Sequence, residues 1–341
     1  MSATPLDLGF RMPAEWEPHE ATWIAWPHNR EDWPGKFAPI AWVYAEIVRR
    51  LASVERVRIL VNDSGAEQNA RRYLRAAHAD TAAVEFYHYP TDRAWTRDYG
   101  PLFVTRRKGE VAITNWRFNG WAKYRNWQRD NAIPGALARR LKLRAFTADL
   151  VMEGGAIDVN GGGLLLSTEE CLLSPVQARN PGRSLQDLER ALRDYLGARL
   201  VIWLGRGIAG DDTHGHVDDV ARFVRTDTVV VATERDRSDP NHEPLQENCG
   251  RLRATGLRVV KLPMPAPVMF RGQRLPASYA NFYIANRLVL VPTFNDPNDR
   301  AALATLARLF PDREVVCIHS VDLALGLGTL HCLTQQQPAG G

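Results

Sequence analysis

A unit of β-hairpin, helix and strand recurs along this chain about every sixty residues, and a repeat of that length constrains the fold more than any single motif. Four stretches read as hairpins, each with two β-rich runs around a short polar or glycine turn: 102–116, 156–168, 220–233 and 281–293. Their turns fall near Lys108-Gly109, Asn160-Gly161-Gly162, Arg225-Thr226-Asp227 and Ala285-Asn286-Arg287. A helix and a further strand follow the hairpins. The clearest helix spans 184–196: Ser184 is placed to cap it, Asp187 lies in its first turn, and Gly197 stops it. Leu185, Leu188, Leu192 and Tyr195 fall on one stripe. Strand 200–203 comes next; 299–310 with 315–318 repeats the order, and 129–142 with 143–146 is a weaker copy. The stretch 234–250 reads as a loop.

Strands at 21–26 and 330–334 have no hairpin partner nearby. If they pair with each other, the two ends of the chain complete a fifth unit and close a ring, an arrangement that leaves few sheet edges exposed. The alternative is a mixed-sheet α/β protein whose spacing is a coincidence. Composition permits either. With 45% hydrophobic and 24% charged residues the chain is built for a core, and 341 residues suffice for one large repetitive domain, 1–341. A net charge of +4 with no basic block gives no reason to expect a nucleic-acid partner. No apolar run reaches the length of a membrane span, and residues 1–10 lack the blocks of a signal peptide, so a cytoplasmic protein is expected. Four cysteines without a C-x-x-C pair argue against a zinc ribbon.

The head of each repeat carries chemistry. Asp98, Glu153, His216 with Asp218, Ser278 with Tyr279, and Cys332 follow one another at intervals of about sixty residues. Equivalent points of a closed ring meet near its axis, so a thiol, an imidazole and three carboxylates are expected to converge. A thiolate is a natural nucleophile, and an imidazole activates it and carries protons. Carboxylates beside it would blunt it, unless the substrate brings positive charge. A guanidinium is planar, permanently charged and matched to carboxylates, so two of them would clamp it with its carbon facing sulfur. Trp95 and Trp121 are candidates to face a cation. Cys171, Cys249 and Cys317 lie at no repeat head and are expected to matter for stability alone.

A rival is a metallohydrolase. His214, His216 and Asp218 alternate, and alternation on a strand would put all three on one face. The pattern lacks the further histidine that such sites carry, since Asp219 stands there, and no metal is expected. A catalytically dead binding protein and an amidinotransferase complete the alternatives.

The motifs resemble those of the agmatine deiminase and bacterial peptidylarginine deiminase family of guanidino-group-modifying enzymes. They run from Met12-Pro13-Ala14-Glu15-Trp16-Glu17-Pro18-His19 through Trp95-Thr96-Arg97-Asp98, Glu153-Gly154-Gly155, Glu169-Glu170-Cys171-Leu172-Leu173 and Gly215-His216-Val217-Asp218 to His331-Cys332-Leu333-Thr334-Gln335-Gln336-Gln337-Pro338. The resemblance implies an α/β fold, a five-bladed propeller of ββαβ units with pseudo-fivefold symmetry. It implies cofactor-free hydrolysis of a small cationic guanidino substrate, agmatine ahead of arginine or peptidyl-arginine, by a protein that could form a homodimer. Cys332 would be the nucleophile, His216 the general acid and base, and Glu153 its orienter; Asp98 and Asp218 would hold the guanidinium, with Trp95 beside it. The chain departs from the family at Gly326-Leu327-Gly328-Thr329, where Gly-Gly-Gly-Asn is usual, and at His214, where an acidic or amide residue is more common. Its 234–250 stretch is shorter than in the plant-type enzymes.

Overall fold

The computed structural model describes residues 3–107 and 109–340. Five small sheets carry the repeat. Four have three strands each: Leu102–Thr105, Val111–Arg117 and Arg144–Val151; Asp158–Val159, Leu164–Thr168 and Leu200–Leu204; Ala221–Arg225, Thr228–Thr233 and Arg258–Pro263; Tyr283–Ile284, Leu288–Thr293 and Glu314–His319. In every one the first pair is antiparallel and the second parallel, with a helix making the parallel crossover. This is the ββαβ unit. The middle strands Thr228–Thr233 and Leu288–Thr293 lie between two neighbours and are buried almost throughout, so their sequences, TVVVAT and LVLVPT, are continuous rather than alternating. Of the first hairpin's turn, Lys108 falls outside the described residues.

The fifth sheet joins the two ends of the chain. Gln335–Pro338 pairs antiparallel with His19–Ala25, which runs parallel to Arg56–Val61, itself parallel to Val84–His88. The expected closure therefore holds, with a correction. Residues 330–333 form turns, and the closing strand starts at Gln335. Three glutamines do not look like a buried strand, but the amides of two of them serve buried donors. Gln337 Oε1 accepts from Trp23 Nε1 at 2.9 Å and from Arg58 Nη1 at 2.6 Å, and Gln336 Oε1 accepts from Arg97 Nη1 at 2.7 Å. This blade also holds a fourth strand and the helix Ser64–Ala76, which the repeat does not foreshadow.

The helices behave as amphipathic covers. In Leu185–Leu196 the Ser184–Asp187 capping box is formed and Gly197 adopts φ 74°. Its buried stripe is Leu188, Leu192 and Leu196; Leu185 is exposed and Tyr195 only partly buried, a shift of one turn from the expected face. The 234–250 stretch, expected as a loop, enters the helix His242–Ala254, whose Leu245, Cys249 and Leu252 are buried. Polar residues between those positions mask the period. No helix among the described residues is long and apolar enough to cross a membrane.

Candidate active site

Each first strand begins a few residues after a short turn, and these turns carry the site. Asp98 sits in the single helical turn Thr96–Tyr99. Its Oδ2 accepts from Trp121 Nε1 at 2.9 Å and its Oδ1 from the Gly155 N–H at 3.1 Å. Glu153 precedes the 3₁₀ turn Gly154–Ala156 and is bound by Arg179 Nε at 3.1 Å, both side chains being buried. His216 precedes the 3₁₀ turn Val217–Asp219. Its Nε2 lies 3.5 Å from Glu153 and its Nδ1 3.8 Å from Asp98; neither nitrogen has a hydrogen-bond partner among the described residues. Asp218 Oδ2 takes a hydrogen bond from His331 Nδ1 at 2.6 Å, while its buried Oδ1 has no partner among the described residues. Cys332 Sγ lies 3.9 Å from Asp218 Oδ2 and accepts from Asn281 Nδ2 at 3.1 Å.

Asp98, Glu153 and His216 thus form one cluster, and Asp218 and Cys332 another. Cys332, Asp98, Trp95 and Trp121 line a cavity of about 380 Å³; His216 and Glu153 lie buried behind Asp98. The fourth head needs correcting. Ser278 Oγ donates to the Asp219 carbonyl and Tyr279 OH to Asp299, so neither reaches the thiol; Asn281 does. The alternation His214-x-His216-x-Asp218 is not on a strand. His214 has φ 62° and its Nε2 turns to Ser174 Oγ at 3.2 Å, lining a different pocket, so the three do not form one ligand set. A different trio, Glu153, Cys171 and His216, brings its ligand atoms within 4.8 Å of one another, but the Arg179 guanidinium already occupies that carboxylate. Cys171 was expected to stand apart from the chemistry; it packs against His216 from outside the repeat heads.

Sequence reasoning also passed over a second row of charges. Glu15 Oε2 accepts from His331 Nε2 at 2.8 Å and from Arg97 Nη2 at 3.2 Å; Glu15 Oε1 accepts from the Ile284 N–H at 2.8 Å and lies 2.9 Å from Arg222 Nη2. Glu15 and His331 both lie in the recognised motifs, adjacent to nothing reactive except Cys332, and no periodicity marks them.

Electrostatics follow from this geometry. Burial pushes the Cys332 thiol well above its ordinary pKa, and Asp218, Asp219 and Asp98 push the same way. Burial alone would discharge His216, but Asp98, Cys171 and Glu153 outweigh it and hold the imidazole well above its usual range. Burial pushes Asp98 up to about 6; the His216 charge opposes it, and Asp218 and Glu153 add to it. Glu153 stays below the usual carboxylate range because Arg179 and His216 overcome its burial.

The turn before Cys332 explains its glycines. A Cβ on Gly326 would come within 2.5 Å of Trp33 Nε1 and 2.6 Å of Trp95 Cζ2; one on Gly328 would meet Cys332 Cβ and Trp95 at 3.0 Å. Leu327, between them, takes φ 68° and lines the cavity. Thr329 Oγ1 donates to Asn281 Oδ1 at 2.7 Å.

The cavity thus combines acidic walls with a thiol, and an imidazole lies buried behind Asp98. The model of the Porphyromonas-type peptidyl-arginine deiminase family matches residues 11–338, and the chain belongs to that family. It is 38% identical to the agmatine deiminase of Pseudomonas aeruginosa strain LESB58, over 99% of this chain and 98% of the relative. Among solved structures it resembles the agmatine deiminase of Enterococcus faecalis (33% identical, TM-score 0.92, 99% of this chain and 98% of the other). It also resembles a Campylobacter jejuni agmatine deiminase with substrate bound (28% identical, TM-score 0.90, 97% of each chain). An amidinotransferase of Microseira wollei, 11% identical with a TM-score of 0.55 over 97% of each chain, shares the fold alone.

Proposed function

We propose that this chain hydrolyses agmatine to N-carbamoylputrescine and ammonia, with residues 1–341 acting as one domain. One observation carries the guanidinium half: buried Asp218, its Oδ2 3.9 Å from Cys332 Sγ and its Oδ1 without a partner among the described residues, while Asp98 and Cys332 line one cavity. A permanently charged planar donor is the ligand that satisfies both. It also answers the high thiol pKa, since the bound cation offsets the carboxylates that hold Cys332 protonated.

The steps balance as follows. His216 carries one proton into the reaction, and Cys332 gives its own to solvent on substrate binding. The Cys332 thiolate attacks the guanidinium carbon to give a tetrahedral adduct. His216 protonates a terminal nitrogen, which leaves as ammonia, and an S-alkylthiouronium remains on Cys332. His216, now neutral, takes a proton from water; the hydroxide adds to the same carbon, the C–S bond breaks, and the hydroxyl proton of the adduct passes to solvent, which releases the ureido product and the thiolate. Glu153 and Arg179 fix the imidazole; Asp98 and Asp218 position the carbon and stabilise its charge. Trp95 walls the cavity. The roles of Cys332, His216, Glu153, Asp98 and Asp218 are all part of this proposal.

Agmatine differs from arginine at the tail. Glu31, Asp32 and Asp212 bring carboxylates to the same cavity, but Arg93 is ion-paired with Asp32 and Lys123 with Asp212, leaving Glu31 and Arg271. The names of the relatives support an ammonium tail. The product is a step from putrescine, and the reading includes polyamine synthesis in the cytoplasm. Ammonia release from agmatine, arginine and an N-blocked arginine peptide, measured side by side, tests it. A kcat/KM for agmatine at least 100-fold above both others is expected; equal or greater turnover of either competitor overturns the substrate assignment.

A further inference from the structure

We propose that His331 is a doubly protonated positioning residue, clamped between Glu15 and Asp218, that aims the free oxygen of Asp218 at the substrate guanidinium. The second half rests on the function proposed above; the first does not.

The ring is fully committed. Nδ1 lies 2.6 Å from Asp218 Oδ2 and Nε2 lies 2.8 Å from Glu15 Oε2, and all three side chains are buried. A neutral imidazole has one N–H and one bare nitrogen, so one of these contacts would set a lone pair against carboxylate oxygen. Two arrangements remove that clash: both ring nitrogens protonated, or a proton on one carboxylate. Glu15 is the poorer home for a proton, because Arg97 and the Ile284 N–H also donate to its two oxygens and the Arg222 guanidinium lies 2.9 Å away. Asp218 is held below the usual carboxylate range against its burial, His331 being the chief cause and His216 and Arg222 helping. The charge count agrees. Glu15, Asp158 and Asp218 face Arg97 and Arg222, with Arg222 Nε 2.9 Å from Asp158, and a charged His331 makes three against three.

Two consequences reach the reaction. The His331 bond takes up Asp218 Oδ2, so the remaining acceptor of Asp218 is the unpartnered Oδ1. The backbone N–H of His331 donates to Asn281 Oδ1 at 3.0 Å, and the Asn281 amide touches Cys332 Sγ. One residue therefore registers both the guanidinium acceptor and the turn that carries the nucleophile.

The test has two arms. In the wild-type enzyme labelled with ¹⁵N-histidine, the His331 ring, assigned from the resonances that His331→Gln loses or, if that variant does not fold, from those that Glu15→Gln shifts, should show two protonated nitrogens at neutral pH. A bare nitrogen there overturns the protonation claim whatever the substrate. For the positioning claim, agmatine binding is measured by calorimetry in Cys332→Ala, which holds substrate without turnover. Adding His331→Gln, or Glu15→Gln if that protein does not fold, should weaken Kd at least tenfold. It should also add an acid limb, because Asp218 without its cation takes up a proton at higher pH and loses its grip as pH falls. An unchanged Kd and pH profile sink the positioning claim. If Cys332→Ala binds no agmatine, the substrate assignment fails, while the labelled spectrum still decides the state of the ring.

Discussion

Asp98→Asn separates what the active site gains from what the fold loses. Asp98 is buried with a pKa of about 6 against an ordinary 3.8. A raised carboxylate pKa means that the folded state resists the charge. Below about pH 4 both states are protonated; between about 4 and 6 the unfolded chain releases its proton while the folded one keeps it, so stability falls as pH rises; above 6 the cost is constant. A rise from 3.8 to about 6 amounts to about 3 kcal/mol at neutral pH. Asparagine has the same shape and no charge, but its amide confronts one of the two donors that Asp98 accepts from, Trp121 Nε1 or the Gly155 N–H. That mismatch costs about 1–3 kcal/mol. The net expectation runs from no change to about 2 kcal/mol of added stability in urea unfolding at pH 7.5, with the advantage over wild type shrinking toward pH 4. The same substitution removes half the guanidinium clamp, worth about 2–5 kcal/mol, or about 30- to several-thousand-fold in kcat/KM for ammonia release. A variant that is less stable by more than 1 kcal/mol at neutral pH, or that keeps kcat/KM within about fivefold of wild type, would refute the reasoning.

Wild-type kcat/KM should fall as pH drops through about 6, where free Asp98 takes up its proton; a profile flat to pH 5 counts against the clamp. Glu153→Gln should cut kcat by about 10²–10⁴ with a smaller change in KM, because the partner of His216 loses its charge while the cavity stays intact; stopped or coupled ammonia assays decide. Gly328→Ala should leave the fold in place but lower kcat/KM at least tenfold, since its Cβ presses on Cys332 and Trp95. Leu327→Gly relieves a left-handed leucine and widens the cavity. It should raise turnover of an N-blocked arginine peptide relative to agmatine, and an unaltered ratio removes Leu327 from the substrate wall.

The repeat was legible because each unit spells its hairpin with local chemistry, and the heads of the units were legible because the ring keeps them in phase. Asp98, Glu153, His216, Asp218 and Cys332 all follow that phase, in two clusters that meet where Asp98 and Cys332 line one cavity. What did not show has physical reasons. Gln335–Pro338 is a strand whose polar side chains serve arginine and tryptophan donors from elsewhere in the chain, so no hydrophobic pattern marks it. Asn281 takes the place expected of Ser278 and Tyr279 because a displacement of a few residues within a loop leaves the sixty-residue period unchanged. Glu15 meets His331 across more than three hundred residues, and Cys171 reaches His216 from a helical turn between units. Such contacts depend on three-dimensional closure, which spacing alone does not encode. His214 shows the opposite failure: a motif clear in sequence is undone by one left-handed residue.

The closing strand also bears on biogenesis. Gln335–Pro338 leaves the ribosome after every other strand of the five sheets, and only then does His19–Ala25 gain its second neighbour. Until that moment the strand's open flank is an invitation to other nascent chains, and Cys332, three residues upstream, lacks the strand that anchors the chain after it. A chain interrupted before Gln335 should therefore be prone to clump.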